Sequence, residues 1–353
     1  MASFPHGNGR PFTPEHFKGP RRGLHALQRQ HHHIVHRAAF LDEMLKLLPG
    51  GTGEGLVTFN KRCTGIEEVR DGGLTIHFAD GTTRTADAVI GCVRQILLRG
   101  QPNIEPEFTG KYAYHGLIPM EDAVAAIGER ARDNLMFWGY GGHLVTFPID
   151  KGKTFDVVAF QTPKTAKWEH GNDWVVSITI ADVLDDFKDW SEPVKKLLSM
   201  LKKRDKWGLF DHPPARTYCG GRKICLLGDC AHASTPHQDA GAGMAIEDAA
   251  VLATLLAQIE EPDPTVLEKV FTAYDAVRRP RTQRLVTTSR AAGLLYGLQL
   301  PGVEDAWTKC TTSVRIGIDG YGSTTLNSTA EMPLNSCSLR VSNQRRSSCV
   351  SYC

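Results

Sequence analysis

Residues 225–250 read Cys225-Leu226-Leu227-Gly228-Asp229-Cys230-Ala231-His232-Ala233-Ser234-Thr235-Pro236-His237-Gln238-Asp239-Ala240-Gly241-Ala242-Gly243-Met244-Ala245-Ile246-Glu247-Asp248-Ala249-Ala250. An apolar run ends in Gly-Asp, a polar loop follows, and a helix opens on small residues. The pattern predicts a strand over 222–227 and a helix from 241, with Leu252, Leu255, Leu256 and Ile259 as its buried stripe. It sets a carboxylate at the strand's C-terminal end and turns the unsatisfied N–H groups of a helix toward the same crevice. The glycines let a ligand approach the backbone. Such a place suits a ligand that carries hydroxyls and develops negative charge.

Downstream, 265–298 reads as helix, with a break expected at Pro280. Upstream, Phe40, Leu41, Met44, Leu45 and Leu48 fall on one helical face that should be buried, and Pro49-Gly50-Gly51 stops that helix. Short β-like runs follow at 56–59, 66–69 and 74–78, separated by Asp-Gly turn signals. Residues 86–92 have the continuous apolar character of a strand in a parallel sheet. Runs at 112–118, 136–140, 143–149, 155–161 and 174–180 predict a β-rich layer. Phe187, Trp190, Val194, Leu197, Leu198 and Leu201 recur at helical spacing, so one or two helices close that layer. Residues 1–33 hold no periodicity and read as irregular. Residues 311–353 offer little apolar surface to offset ordering entropy and are expected to be a disordered tail. The fold class is therefore α/β in the broad sense, with an α+β insertion.

The chain has 353 residues, with 41 Lys+Arg against 39 Asp+Glu and a formal net charge of +2. That balance gives no electrostatic footprint for nucleic acid or an anionic membrane. No stretch approaches the ~18 apolar residues that cross a bilayer. The first residues lack a basic segment followed by an apolar core, so a soluble, cytoplasmic protein is expected. Nine cysteines, an odd number without a CxxC pair, are not a disulfide framework. Cys225 reads as a small buried thiol. His232 and His237 with Asp229 and Asp239 could suggest a metal, but no second ligand cluster completes such a site, and none is expected.

The 225–250 segment resembles the second flavin-binding motif of the class A FAD-dependent aromatic hydroxylases, among them the fungal salicylate-hydroxylase-like monooxygenases. The resemblance implies that Asp229 binds the ribityl chain of FAD and that Pro236 lies near the ring where substrate is oxygenated. It further implies that Ala242, Gly243 and Met244 offer backbone N–H groups to the pyrimidine edge. Ile34-Val35-His36-Arg37-Ala38-Ala39-Phe40-Leu41 looks like the family's segment whose arginine, here Arg37, contacts FAD. Trp207-Gly208-Leu209-Phe210-Asp211-His212-Pro213-Pro214 and Arg278-Arg279-Pro280-Arg281-Thr282-Gln283 extend the likeness across residues 34–300. The implied layout is an incomplete FAD-binding Rossmann-like domain over 34–110 and 205–300, with a substrate-binding β-layer inserted over 111–204. The implied activity is hydroxylation of a small phenolic or aromatic substrate with NAD(P)H and O2, with Tyr114 and His115 bordering that substrate.

The chain also departs from the pattern. No Gly-x-Gly-x-x-Gly turn follows an early strand, so the N-terminal βαβ unit that holds a pyrophosphate is expected to be absent. The Asp-Gly pair that relatives carry between a cysteine and a valine is missing at Cys92-Val93. His115 stands where relatives usually have Arg, and an imidazole is only fractionally cationic near neutral pH. Phe147 stands where some relatives have a tyrosine. Cys230 replaces the usual Ala, and Asp239 the usual Gly. These departures motivate an alternative: a catalytically inactive, truncated relative acting as a binding module.

Overall fold

The structure is a computed structural model that describes residues 10–11, 37–50, 56–69, 72–91, 94, 105–163, 165, 167–202, 205–220, 223–260 and 264–301. The predicted tail and most of the irregular N-terminal segment lie outside the described residues. In chain order the strands are β1 (Arg10–Pro11), β2 (Cys63–Glu68), β3 (Leu74–Phe78), β4 (Thr83–Ala86), β5 (Val89–Gly91), β6 (Glu107–Pro119), β7 (Leu135–Gly139), β8 (Gly142–Ile149), β9 (Thr154–Gln161), β10 (Val175–Ser177), β11 (Asp205–Asp211), β12 (Cys219–Gly220) and β13 (Ile224–Leu226). The α-helices are α1 (Arg37–Lys46), α2 (Met120–Ile127), α3 (Ile180–Asp186), α4 (Glu192–Ser199), α5 (Asp229–His232), α6 (Gly241–Leu256) and α7 (Pro264–Tyr296). Among the described residues, no helix is long and apolar enough to cross a membrane.

The described residues divide into two compact units, one drawn from 10–11, 108–209 and 291–301, the other from 37–107 and 210–290. The first is built on a seven-stranded sheet in the order β1-β7-β8-β9-β6-β11-β10. Strict alternation places Tyr112, Tyr114 and Ile118 of β6, Phe155, Val157 and Ala159 of β9, and Leu144 of β8 on one face. There they pack against Met120 and Ala123 of α2, Val183 of α3, and Val194, Leu197 and Leu198 of α4. Thr179 begins α3 with a reciprocal capping box to Asp182, which satisfies two orphan donors at once.

The second unit holds two three-stranded sheets, β12-β13-β5 and β2-β3-β4. β13 and β5 pair in parallel, Ile224 with Val89 through Leu226 with Gly91, and β12 joins β13 antiparallel. Ile90, Cys225, Leu226, Leu252, Phe271 and Tyr274 form its main core.

Several expectations need correction. The 56–59 run is not a strand: Leu56 and Phe59 are exposed, and neither finds a ladder partner. The run at 174–180 is strand only over Val175–Ser177, because the Thr179 cap turns the chain into α3. α1 forms, but its stripe is not buried: Phe40, Leu41 and Met44 are exposed, and Leu45 and Leu48 are only half-buried. α7 runs through Pro280 without a break. Phe271, Tyr274, Leu285 and Val286 are buried on both sides of that proline, and this packing outweighs the roughly 3 kcal/mol an interior proline costs.

Candidate active site

In the second unit, β13 ends at Leu226, and Gly228 opens the one-turn helix α5 with φ +67°. A side chain there would be strained by that backbone, and its Cβ would lie 3.4 Å from Ala245. The Gly228 N–H donates to Asp248 Oδ2 at 3.1 Å, so the turn is tied to a carboxylate twenty residues on, in α6. Asp248 is fully buried. It also meets His232 Nε2 at 2.6 Å and accepts from Arg278 Nε at 2.7 Å. Burial pushes the Asp248 carboxyl up, but hydrogen bonds and charge from His232 and Arg278 outweigh that and hold it below the usual carboxylate range. Arg278, 1% exposed, donates further to Glu247 Oε2 and to the Met244 carbonyl. Arg281 grips Glu247 through both carboxylate oxygens at 2.8 and 2.9 Å.

This clamp leaves Asp229 exposed at the start of α5 and Pro236 exposed at the start of the 3₁₀ turn Pro236–Gln238. Asp239 closes that turn with φ +49°. That left-handed backbone suits Gly, and an Asp tolerates the region better than most residues. Cys230, in place of Ala, sits within 2.7 Å of the Gly91 carbonyl and 3.0 Å of the Leu227 carbonyl.

No side chain caps the start of α6. Ala242 and Gly243 are exposed, and a Cβ built on Gly243 would meet nothing within 4 Å. Free N–H groups, a positive helix end and open approach to the backbone fit the electron-rich edge of a flavin ring. Met244 differs: its N–H already donates to the Ala240 carbonyl, and its side chain is buried against Arg278. Arg37 is the first residue of α1. With no Gly-x-Gly-x-x-Gly turn in the sequence, the fit to FAD concerns the ring end of the cofactor rather than its pyrophosphate.

Sequence reasoning missed Arg94. Its guanidinium, 2% exposed, donates to the carbonyls of Ala231 and Pro213 at 3.0 and 2.8 Å and so braces the loop around α5. Burial lowers its pKa. His212, next to Pro213, is pushed down to about 4, chiefly by burial and then by the Arg94 charge.

In the first unit, β6 separates the two residues expected near a substrate. Tyr114 points into the helix-covered core, 1% exposed, and its hydroxyl donates to Asp186 Oδ2 at 2.6 Å. Tyr112 donates to the same oxygen at 2.5 Å. Burial, then the bond to Asp186, raises the pKa of both phenols. His115 points the other way and is exposed, with Nε2 3.0 Å from Asp156 Oδ1. By register, His115 lies opposite Val158 and Asp156 opposite Phe147, so His115, Leu117, Val145, Phe147, Asp156 and Val158 share one face. Asp156 was also missed; a carboxylate between Phe155 and Val157 in an apolar strand was the available signal.

The FAD binding domain family matches residues 169–289. The chain is 41% identical over 272 residues to the 6-methylsalicylate 1-monooxygenase of Aspergillus terreus, covering 74% of this chain and 59% of that protein. It is 40% identical over 299 residues to an FAD-dependent monooxygenase of Monascus ruber, covering 79% and 67% respectively. A solved salicylate hydroxylase substrate complex superposes with a TM-score of 0.74 at 34% identity, covering 84% of this chain and 74% of that one. The chain thus spans between 43% and 67% of the length of the first curated relatives it matches.

Proposed function

The chain belongs to the FAD-dependent monooxygenases related to salicylate hydroxylase, and from that membership we propose that it hydroxylates a small phenolic substrate with NAD(P)H and O2 in the cytoplasm. The Gly228-Asp229 turn, locked by Asp248 ahead of the uncapped start of α6, carries this reading. Bound FAD supplies the redox chemistry; the chain supplies binding and orientation. Asp229 accepts hydrogen bonds from the cofactor's polyol hydroxyls. The N–H groups of Ala242 and Gly243, at the positive end of the helix dipole, stabilise negative charge on the ring. Arg37 is a further cofactor contact, Met244 seats the helix start on Arg278, and Pro236 borders the ring.

On the sheet, His115 is the polar group for a phenol hydroxyl, and Asp156 fixes the ring nitrogen that faces it. Tyr114 supports this strand from the opposite face through Asp186. Purified chain mixed with FAD should retain a flavin absorbance band through gel filtration. It should also consume NAD(P)H faster with salicylate or 6-methylsalicylate, giving a product with one added oxygen atom. Asp229→Ala should weaken FAD binding roughly 10- to 100-fold, the worth of hydrogen bonds to a charged acceptor. Salicylate binding without flavin retention or NAD(P)H oxidation would overturn the enzyme reading in favour of a binding module.

A further inference from the structure

β12 and β13 bring two thiols face to face. Cys219 and Cys225 are direct partners across the antiparallel ladder, and both are free. The Leu226 N–H donates to the Tyr218 carbonyl at 2.7 Å. Hydrogen-bonded and non-hydrogen-bonded pairs alternate in such a ladder, so 219/225 is a non-hydrogen-bonded pair, with Cα atoms about 4.5 Å apart and side chains on one face. That separation lies at the short end of what a disulfide spans, roughly 4.4–6.8 Å.

The two sulfurs are not equivalent. Cys225 is fully buried, whereas Cys219 is partly exposed. Cys219 Sγ lies 3.1 Å from the Phe271 carbonyl oxygen and Cys225 Sγ 3.7 Å from that of Leu226; the closeness of the two thiols lowers the pKa of Cys219 and raises that of Cys225. An accessible, more acidic thiol beside a shielded second thiol is the arrangement of a peroxide-reactive cysteine with a resolving partner. Cys230 is occupied differently, against the carbonyls of Gly91 and Leu227.

We propose that Cys219 and Cys225 form an oxidative modification site, closed to a disulfide by hydrogen peroxide. The Cys219 thiolate attacks the peroxide O–O bond; an S–O bond forms, and hydroxide leaves to become water. The Cys225 sulfur then attacks the Cys219 sulfenic acid, an S–S bond forms, the S–O bond breaks, and the Cys225 proton leaves with a second water. Two thiols lose two electrons in total and one peroxide gains them. The crosslink would stiffen the hairpin whose second strand runs straight into the Gly228-Asp229 turn. This inference does not depend on flavin binding.

The test treats the intact chain with a small excess of hydrogen peroxide, alkylates what remains reduced, and maps cysteine peptides by mass spectrometry with and without dithiothreitol. A dithiothreitol-reversible crosslinked peptide joining Cys219 to Cys225, formed before any other cysteine reacts, is the expected result. In Cys225→Ala, Cys219 should instead be captured as a sulfenic acid by dimedone, and Cys230→Ala should still form the crosslink. Oxidation of Cys219 to sulfinic acid with Cys225 still alkylatable in the unmutated chain would overturn the proposal. So would first reaction at another cysteine, or no reaction at either thiol.

Discussion

In the unit built on the seven-stranded sheet, Ile118, Leu144, Phe155 and Val157 are completely covered by apolar side chains of α2, α3 and α4, with Asp186 of α3 accepting the Tyr112 and Tyr114 hydroxyls. In the other unit, the largest fully buried side chain is that of Arg278, held by Asp248, while Ile246 of α6 remains 58% exposed and Leu47, just past α1, 79% exposed. The first unit is closed by apolar packing, whereas the second adds to its own apolar core a satisfied charge cluster at the candidate site. A buried ion cluster is weak evidence for stability but strongly specifies geometry. Here it fixes the turn that presents Asp229.

The contrast can be broken by substitution. Asp248→Ala takes the buried acceptor from Arg278 Nε, the Gly228 N–H and His232 at once and should cost about 3–5 kcal/mol, whereas Leu144→Ala leaves a cavity and should cost about 2–5 kcal/mol. Urea melts followed separately by tryptophan fluorescence and by flavin retention should show the first variant losing flavin even where it remains folded, and the second losing both together. A smaller effect comes from Lys111, whose Nζ donates to Thr162 and Gln299 and whose pKa burial lowers to about 8. Between that value and the usual 10.5, the unfolded chain holds a proton that the folded chain has released. Stability should therefore rise as pH climbs from about 8 to 10.5 relative to Lys111→Met, in paired melts. The smallest effect sharpens the comparison from the surface: Ile246→Ser should change stability by no more than about 0.5 kcal/mol, since the side chain is already in water. A larger loss in the same melt would mean that Ile246 is covered in solution.

Elements with strong local signatures were legible. Alternation located β6 through β9, and the small residues from Gly241 marked the start of α6 to the residue. Asp229, Ala242 and Gly243 were legible as candidates because the motif is contiguous. What sequence could not give was set by contacts distant along the chain. Arg94 finds its acceptors more than a hundred residues away, and Asp156 gains meaning only from strand register. Pro280 looked like a break within the helix because its local cost is visible and the buried residues flanking it are not. The stripe of α1 was read correctly as a pattern, yet a pattern states what a helix could cover, not what covers it.

α7 engages the hairpin and the turn at several points along a single side. Asp275 accepts from the Tyr218 N–H, Arg278 holds Asp248, and Thr282 meets the Tyr218 hydroxyl at 2.7 Å. These positions are spaced by three and four residues, so they work as teeth on one rack. An insertion of a single residue ahead of them would rotate the whole set by about 100° and disengage every tooth together. Point substitution can thus retune this helix one tooth at a time, whereas a change in its length has no gradual route.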